Sequence, residues 1–320
     1  MKHCFVMNPA AGKGKIASGL AERIAQTCCE RGVDFEVYFT KGVGDATDYV
    51  LRTGAERTGA VRFYACGGDG TLGETARGIM SLDNRDGVSL GLFPIGTGND
   101  FARNFSSGET FFDVEAQLDG EECDIDVLQV NDRYAINMVN IGFDCEVVCD
   151  TVKFKKSPLI PSKLAYIAGL VVTLVRKPGV DMTLSIDGGE PSRHHFLLTT
   201  FANGAFCGGG FHSNPLATVA DGRLDGLLIS DITRRKFITL VGDYKAGTHL
   251  TPKFEKILKN FKAHTIDMVF DGETNVSVDG EVIRFSELHL SVLSRAMKFL
   301  IPKGAALLGI GEESPAMATV

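Results

Sequence analysis

The first part of the chain alternates between short apolar runs and segments whose apolar residues recur at helical spacing. The apolar runs predict buried strands, and the segments between them predict amphipathic helices. Strands are expected at 3–7, 34–40, 61–66 and 89–95, and helices at 14–30 and 45–56. This regular alternation predicts an α/β domain with a parallel sheet and helices on its faces.

After about residue 120, apolar and polar residues alternate in short segments that are separated by turn residues. Alternation with a period of two is typical of half-buried strands, and so many of them favour an antiparallel β-sandwich or open barrel. The segments lie at 124–131, 134–143, 181–187, 196–202, 224–232, 266–271, 275–279 and 288–293, with helices expected at about 162–176, 234–246 and 252–260. We therefore predict an α/β domain at 1–125 and a β-rich domain at 126–295.

Composition and charge narrow the class of protein. With 320 residues, 44% hydrophobic and 23% charged, the chain has the profile of a globular protein with room for two domains. The net charge of −7 gives no reason to expect nucleic acid as a partner. Eight cysteines without a CxxC pair indicate buried thiols in a reducing compartment, and the lack of closely spaced Cys and His residues argues against a zinc site. The N-terminus, broken by Pro9, is too short for a signal peptide, and the apolar run at 164–175 is shorter than the ~20 residues of a spanning helix. We expect a cytoplasmic protein that contacts a membrane only peripherally.

Each predicted strand of the first domain is followed by a loop of small residues. The loops lie at 8–15, 40–47, 67–74 and 94–105, and each precedes a predicted helix start. Backbone N–H groups at helix N-termini bind phosphate, and glycines let that backbone come close to it. A nucleotide with a polyphosphate chain is the expected ligand, although the sequence has neither a Walker A motif nor a G-x-G-x-x-G motif after a strand.

Asp69 is an unusual residue in such a loop, because its carboxylate repels phosphate unless a cation lies between them. Mg²⁺ commonly bridges carboxylates and phosphate oxygens, so Asp69 is a candidate metal-linked residue in phosphoryl transfer. The alternative is a turn aspartate that caps the helix beginning near Thr71.

Six segments together resemble the catalytic domain family of diacylglycerol kinases, in particular the soluble bacterial lipid kinases. They are "NPAAGKGK" (8–15), "GGDGTLGE" (67–74), "PIGTGNDFAR" (94–103), "IDVLQVN" (125–131), "NIGFD" (140–144) and "DGE" (279–281). They occur in the family's order and cover nearly the whole chain. NAD kinases and phosphofructokinases share the GGDG-type loop but not the "GTGNDFAR" segment.

The resemblance implies that ATP binds in the cleft between two domains and that the chain end, at about 296–312, returns to the first domain. It implies that Glu281 is the general base, that Asp69 is catalytic, and that Asp100, Arg103 and Asp126 form a polar network near the metal. From the residues alone, Glu281 is a hairpin glutamate and Arg103 a surface residue. The implied ATP contacts are Asn8, Pro9, Ala10, Ala11, Gly12, Thr40, Gly67, Gly68, Asp69, Gly70, Thr71, Leu72, Gly73 and Thr97.

A second, structural Mg²⁺ is also implied by the resemblance. Asp221 would supply its carboxylate, and Thr218 and Arg223 their backbone carbonyls; the residues alone indicate only a good hairpin turn. The chain departs from the family at two places, with Gly73 where asparagine is frequent and Ala220 where a second acidic residue is common. The first departure removes a nucleotide contact, and the second lowers the affinity expected for the metal.

The expected function is Mg²⁺-dependent transfer of the γ-phosphate of ATP to a lipid hydroxyl, with diacylglycerol as the leading acceptor. Basic clusters at 153–157 and 234–236 lie beside apolar stretches, a combination that suits an anionic membrane surface or simply solvated faces of core helices. Two alternatives remain: a kinase of a soluble acceptor such as NAD, and a non-catalytic nucleotide-binding regulatory module. The sequence leaves open which lipid is the acceptor and whether the chain forms a homodimer.

Overall fold

The N-terminal part of the chain folds as alternating strands and helices. The computed structural model describes residues 1–13, 15–143, 145–147, 149, 172–173 and 179–309. The first elements are β1 (Lys2–Met7), α1 (Lys15–Arg31), β2 (Phe35–Phe39), α2 (Asp45–Glu56), β3 (Val61–Gly67), α3 (Asp69–Met80) and β4 (Val88–Pro94). These four strands pair in parallel in the order β2–β1–β3–β4.

Helices cover both faces of this parallel sheet, which explains why its central strands are apolar along their length. Successive side chains of a strand point to opposite faces. Phe63 and Leu90 pack on one face in the cluster that contains residues of α2 and α3. Tyr64 and Phe93 pack on the other face in the cluster that contains residues of α1. The loops at the strand ends are therefore the part of the sheet that remains accessible to a ligand.

The C-terminal part is built mainly from antiparallel strands. Two 3-10 helices (Phe101–Asn104 and Gly108–Phe112) and α4 (Val114–Leu118) lead into it. Its elements are β5 (Glu121–Val130), β6 (Arg133–Ala135), β7 (Met138–Gly142), β8 (Val180–Ile186), β9 (Ser192–Ala202), β10 (Leu224–Ser230), α5 (Arg234–Ala246), β11 (Leu258–Ala263), β12 (Thr265–Val278) and β13 (Glu281–Ile301). A core of their inward-facing side chains, among them Val139, Phe201 and Leu290, is fully buried.

The long strand β13 joins the two parts into one sheet. It pairs antiparallel with β12 along its first half and with β5 along its second half. Near its end, Lys298 and Phe299 pair in parallel with Ser89 and Leu90 of β4. The sheet therefore runs in the order β11–β10–β9–β7–β12–β13–β4–β3–β1–β2, and the last strand lies beside the N-terminal sheet.

The helix predicted at 252–260 is wrong. Residues 252–257 form turns, and the chain then enters β11, which pairs antiparallel with β10. Phe254 and Leu258 are both buried in the same apolar cluster. Pairing with the edge of β10 satisfies the backbone groups of this segment, and this tertiary contact outweighs a weak local preference for helix.

Two predicted strands, at 266–271 and 275–279, are parts of a single strand, β12. Its register against β13 shifts between Val269 and Thr274, and this irregularity lies where the sequence pattern is interrupted. The helix predicted at about 162–176 lies almost entirely outside the described residues, and so does the basic cluster at 153–157.

Candidate functional site

The loops that follow β1, β2, β3 and β4 come together at the carboxyl ends of these strands. The Asn8 side chain donates a hydrogen bond to the Thr71 hydroxyl at 3.2 Å, and the Thr40 N–H donates to the Met7 carbonyl at 2.9 Å. The Gly96 N–H donates to the Gly67 carbonyl at 3.1 Å. The sequence prediction that small-residue loops share one edge of the sheet therefore agrees with the positions of these residues.

Gly96 allows two of these loops to touch backbone to backbone. A Cβ atom on Gly96 would lie 2.4 Å from the Cα atom of Gly68, a distance that no side chain tolerates. Gly70 differs, because a Cβ atom there would meet no described atom within 4 Å. The fold therefore requires glycine at Gly96, whereas the space beside Gly70 is open to a ligand.

The helix α3 presents its N-terminus in this open space. It begins at Asp69, and the preceding Gly68 offers no side chain to cap its first N–H groups. A twelve-residue helix with an uncapped N-terminus favours an anion. Of the predicted ATP contacts, Pro9, Ala10, Gly70 and Thr97 are exposed, Asn8, Gly12, Thr40, Gly68 and Asp69 are partly buried, and Ala11, Gly67, Thr71, Leu72 and Gly73 are buried.

Asp69 and Asp100 are linked through the backbone that carries Asp100. The Asp69 Oδ1 atom accepts hydrogen bonds from the N–H groups of Asp100 at 2.7 Å and Phe101 at 3.3 Å. The Asp100 carboxylate accepts from the N–H groups of Gly209 at 2.8 Å and Gly210 at 2.7 Å. Burial raises the pKa of the Asp100 carboxyl, and the charge of Asp69 adds to the shift.

A third carboxylate, Asp279, is fixed by three backbone donors. It accepts hydrogen bonds from the N–H groups of Ile136 at 2.7 Å, Asn137 at 3.0 Å and Met138 at 2.8 Å. Burial raises the pKa of Asp279 to about 6, although the three hydrogen bonds act in the opposite direction. Asp279 is in the turn between β12 and β13, with φ near 48°, so the turn is fixed against the start of β7.

These three carboxylates line the polar end of a cavity of about 240 Å³ that extends between the two parts of the chain. The remainder of its wall is largely apolar and comes mostly from the C-terminal part, with Leu72 and Phe101 from the N-terminal part. The apolar lining includes Phe143, Val147, Leu197, Leu198, Phe211, Ile229, Phe237, Leu240, Val241 and Tyr244. Four of these residues recur at helical spacing on one face of α5, so this helix forms one side of the cavity. The shape suits a molecule with a polar end and a hydrocarbon chain.

Glu281 is the first residue of β13, two positions after Asp279. Its carboxylate is half exposed and forms ion pairs with Arg77 at 2.8 Å and Arg133 at 3.7 Å. It lies at the exposed side of the turn, whereas Asp279 and Gly280 face the cavity.

The predicted network of Asp100, Arg103 and Asp126 is divided between two places. Arg103 lies 3.6 Å from Asp100 as an ion pair. The Asp126 carboxylate instead accepts hydrogen bonds from the N–H groups of Gly222 at 2.6 Å and Arg295 at 2.8 Å. Asp126 thus ties β13 to the turn that contains Asp221.

The residues predicted to hold a structural Mg²⁺ have a lysine beside them. The Lys262 Nζ atom lies 2.5 Å from Asp221 Oδ2, and Asp221 Oδ1 accepts from the Arg223 N–H at 3.0 Å. Within the described residues there is no group of three or more His, Cys, Asp or Glu side chains arranged to hold a metal. This set of donors does not fit a dedicated divalent-metal site.

Two features of the site were missed from the sequence. One is Asp279, whose place in an Asp-Gly turn is the signal that could have singled it out. The other is the loop at 207–210, whose run of three glycines allows two N–H groups to reach Asp100. Gly210 also packs closely on the guanidinium of Arg103, where a Cβ atom would be 3.2 Å from Cζ.

Comparison with known proteins identifies the family. Residues 2–130 match the model of the diacylglycerol kinase catalytic domain, and residues 137–301 match the model of the YegS C-terminal NAD kinase beta sandwich-like domain. The chain belongs to the diacylglycerol kinase catalytic domain family. The family predicted from the six motifs is therefore confirmed, and the second model confirms that the C-terminal domain is a β-sandwich of this family's type.

Individual relatives of this kinase family cover most of the chain. A protein from Salmonella arizonae named "Probable lipid kinase YegS" is 30% identical over 92% of this chain and 96% of its own length. One from Alcanivorax borkumensis, named "Probable lipid kinase YegS-like", is 28% identical over 87% of this chain and 91% of its own. A solved structure of a diacylglycerol kinase from Bacillus anthracis str. Sterne has a TM-score of 0.70 at 20% identity, covering 93% of this chain and 96% of that one, which shows a shared fold.

Among the described residues of this family member, no helix is long and apolar enough to span a membrane.

Proposed function

We propose that this chain is a lipid kinase that transfers the γ-phosphoryl group of ATP to a lipid hydroxyl, with diacylglycerol as the acceptor and phosphatidic acid as the product. Membership of the diacylglycerol kinase catalytic domain family supports the phosphoryl transfer. The names of relatives that match over nearly the whole chain support a lipid acceptor.

One observation carries the proposal: the cavity has a polar end, and the rest of its wall is largely apolar. Asp69, Asp100 and Asp279 line its polar end, next to the glycine-rich loops, and apolar side chains line the rest. The volume of about 240 Å³ is somewhat smaller than the ~300–1,000 Å³ of typical ligand pockets. That volume suits the headgroup end and first carbons of one hydrocarbon chain. A lipid hydroxyl at the polar end would face the phosphates of a nucleotide held by the loops.

Nucleotide binding is supported by the arrangement of the loops. The uncapped N-terminus of α3 and the open space beside Gly70 suit the phosphates of ATP. Asn8 and Thr71, which are hydrogen-bonded to each other, would orient the first and third loops around them.

Carboxylate oxygens are hard ligands of the kind that Mg²⁺ prefers, so Asp69 and Asp100 fit a Mg²⁺ that is shared with the nucleotide. One or two carboxylates together with substrate phosphates are the usual ligands in kinases, and no all-protein cage is needed. The bound ion would neutralise charge that develops on the transferred phosphoryl group. The residues of the chain hold the two substrates in line for the transfer.

We propose Glu281 as the general base that accepts the proton of the lipid hydroxyl, as the family resemblance implies. Its carboxylate pairs with Arg77 and Arg133 on the exposed side of the turn, so the side chain must turn toward the cavity to reach the hydroxyl. In this role Asp279 is the positioning residue, because its three backbone hydrogen bonds fix the turn from which β13 begins.

The experiment compares labelled phosphate transfer by the wild-type chain, Glu281→Gln, Asp279→Asn and the control Glu287→Gln. Glu287 lies on the same strand and is exposed. We expect Glu281→Gln to lower kcat by about 10²–10⁴-fold while the Kd for ATP stays within about threefold, and Glu287→Gln to behave as wild type. Full activity in Glu281→Gln would contradict the assignment of Glu281 as the base, and loss of activity in Asp279→Asn alone would show only that the turn must be held in place.

We also propose that the kinase reaches its acceptor by resting on an anionic membrane through the N-terminal end of α5. Arg235 and Lys236 are exposed there, and Ile238 has 63% of its surface exposed. The opposite face of the same helix lines the cavity. Basic residues next to an exposed apolar side chain suit an anionic lipid surface, and this position would bring the cavity close to the lipid.

A further inference from the structure

An acidic cluster lies where the turn at 217–223 enters β10, away from the cavity. Asp225 is fully buried at the start of β10, and Asp221 lies in the turn just before it. Its carboxylate accepts no hydrogen bond of good geometry among the described residues, and the side chains nearest to it that can donate are those of Lys262 and Asn260. A nearby positive charge lowers the free-energy cost of burying an ionised carboxylate.

Lys262 supplies that charge through the register of the sheet. On β11 it lies directly opposite Asp225 of β10. Its Nζ atom is 3.5 Å from Asp225 Oδ2 and 2.5 Å from Asp221 Oδ2, so one ammonium group contacts both carboxylates. Because the antiparallel pairing of β10 and β11 fixes the two residues opposite each other, this contact is part of the sheet and not a chance meeting of surface side chains.

Both oxygens of the Asp221 carboxylate already have a donor, the Lys262 ammonium at Oδ2 and the Arg223 N–H at Oδ1. A Mg²⁺ on Asp221 Oδ2 would lie about 2.1 Å from that oxygen, and hence within about 5 Å of an ammonium bound to the same atom. Two cations at this separation repel each other, so metal binding would require Lys262 to leave. Its departure would separate it from the buried Asp225 as well.

We infer that the Lys262 ammonium is the built-in cation of this cluster and that the C-terminal domain of this chain folds without the structural divalent metal that its family resemblance implies. The inference does not depend on the acceptor or on catalysis. It concerns the stability of the sheet at β10 and β11.

The test is thermal unfolding of the full chain without nucleotide, in EDTA and in millimolar Mg²⁺ or Ca²⁺. The wild type is compared with Asp221→Asn, which separates this cluster from any ion bound near Asp69. We expect that any rise in Tm on adding metal is the same in the wild type and in Asp221→Asn. A rise in the wild-type Tm that is lost in Asp221→Asn would overturn the inference, and this comparison does not need the lysine variants to fold.

The second measurement removes the lysine. Lys262→Met is compared with Lys259→Met, a lysine on the same strand that is exposed. We expect Lys262→Met to lower Tm by about 5 °C or more, Lys259→Met to leave it nearly unchanged, and the added change Asp225→Asn to relieve part of the loss. Equal Tm values for the two lysine variants would contradict the assignment.

Discussion

The glycines of the GGDG loop and of the neighbouring loop at 94–105 differ in which atoms lie close to them. At Gly96 the nearest obstacle to a side chain is the backbone of Gly68, whereas at Gly70 no described atom lies within 4 Å. The sequence predicted only that glycines let a ligand approach. The structure shows that some of them serve loop–loop packing, which no spacing rule could have separated from ligand binding.

This difference predicts opposite effects of adding one methyl group. Gly96→Ala should lower the free energy of unfolding by about 1–3 kcal/mol because the loop must move away from Gly68. Gly70→Ala should leave that free energy unchanged or raise it by up to about 1 kcal/mol, since the residue is in the first turn of α3. We expect the same Gly70→Ala variant to weaken ATP binding at least about tenfold. Urea unfolding and calorimetric ATP titration measure the two quantities, and unweakened ATP binding by Gly70→Ala would contradict a phosphate site there.

The "DGE" turn shows which residues of a site a sequence motif can identify and which it cannot. The motif singled out Glu281, and the structure shows that Asp279 of the same turn is the carboxylate that lines the cavity. What could not be predicted is the neighbourhood of each: Arg77 and Arg133 beside Glu281, and the N–H groups of 136–138 around Asp279. Those contacts come from elements more than a hundred residues away along the chain.

At the scale of elements, α5 combines two surfaces that the sequence already suggested. Phe237, Leu240, Val241 and Tyr244 face the cavity, while the basic residues and Ile238 face outward. Its bounds, Arg234–Ala246, match the helix predicted at 234–246 because Thr233 caps its first turn and Gly247 ends it in a left-handed conformation.

The outward surface of α5 predicts charge-dependent binding to vesicles. The double variant Arg235→Glu/Lys236→Glu should weaken binding to anionic vesicles, measured by sedimentation, by about 30-fold or more, at roughly 1 kcal/mol for each basic residue lost near the surface. The control Lys256→Glu/Lys259→Glu makes the same change in net charge at exposed positions between α5 and β11 and on β11. Equal loss of binding in both double variants would show that net charge, and not this end of α5, governs the contact.

The segment at 252–260 is an element whose structure could not be predicted from its local sequence pattern. The sequence predicted a helix there, but residues 252–257 form turns and the chain from Leu258 onward pairs with the edge of β10 as β11. Strand pairing of this kind depends on which edge the fold leaves open, and that is decided by the arrangement of all the other strands. The pairing of β11 with β10 also places Lys262 opposite Asp225 and thereby gives this buried carboxylate a cationic neighbour.

At the scale of the whole molecule, the candidate site exists only because two domains share one sheet. The carboxylates come from the start of α3, from the loop after β4 and from the β12–β13 turn, and most of the apolar wall comes from the C-terminal part. The change in sequence pattern near residue 120 predicted two kinds of structure, and the motifs predicted the family. The cavity between them could not be predicted, because its walls are assembled from segments spread between Asp69 and Gly280.

The most direct test of the account is transfer of labelled γ-phosphate from ATP, with Mg²⁺, to a panel of lipids in anionic micelles. Diacylglycerol, monoacylglycerol, a sphingoid base and a polyprenol serve as acceptors, with NAD and fructose 6-phosphate run in parallel. We predict label in phosphatidic acid and none in the soluble acceptors; label in another lipid alone would keep the mechanism and change the acceptor. Label only in a soluble acceptor, or no transfer by a chain that still binds ATP, would contradict the proposal that the cavity holds a lipid for phosphorylation.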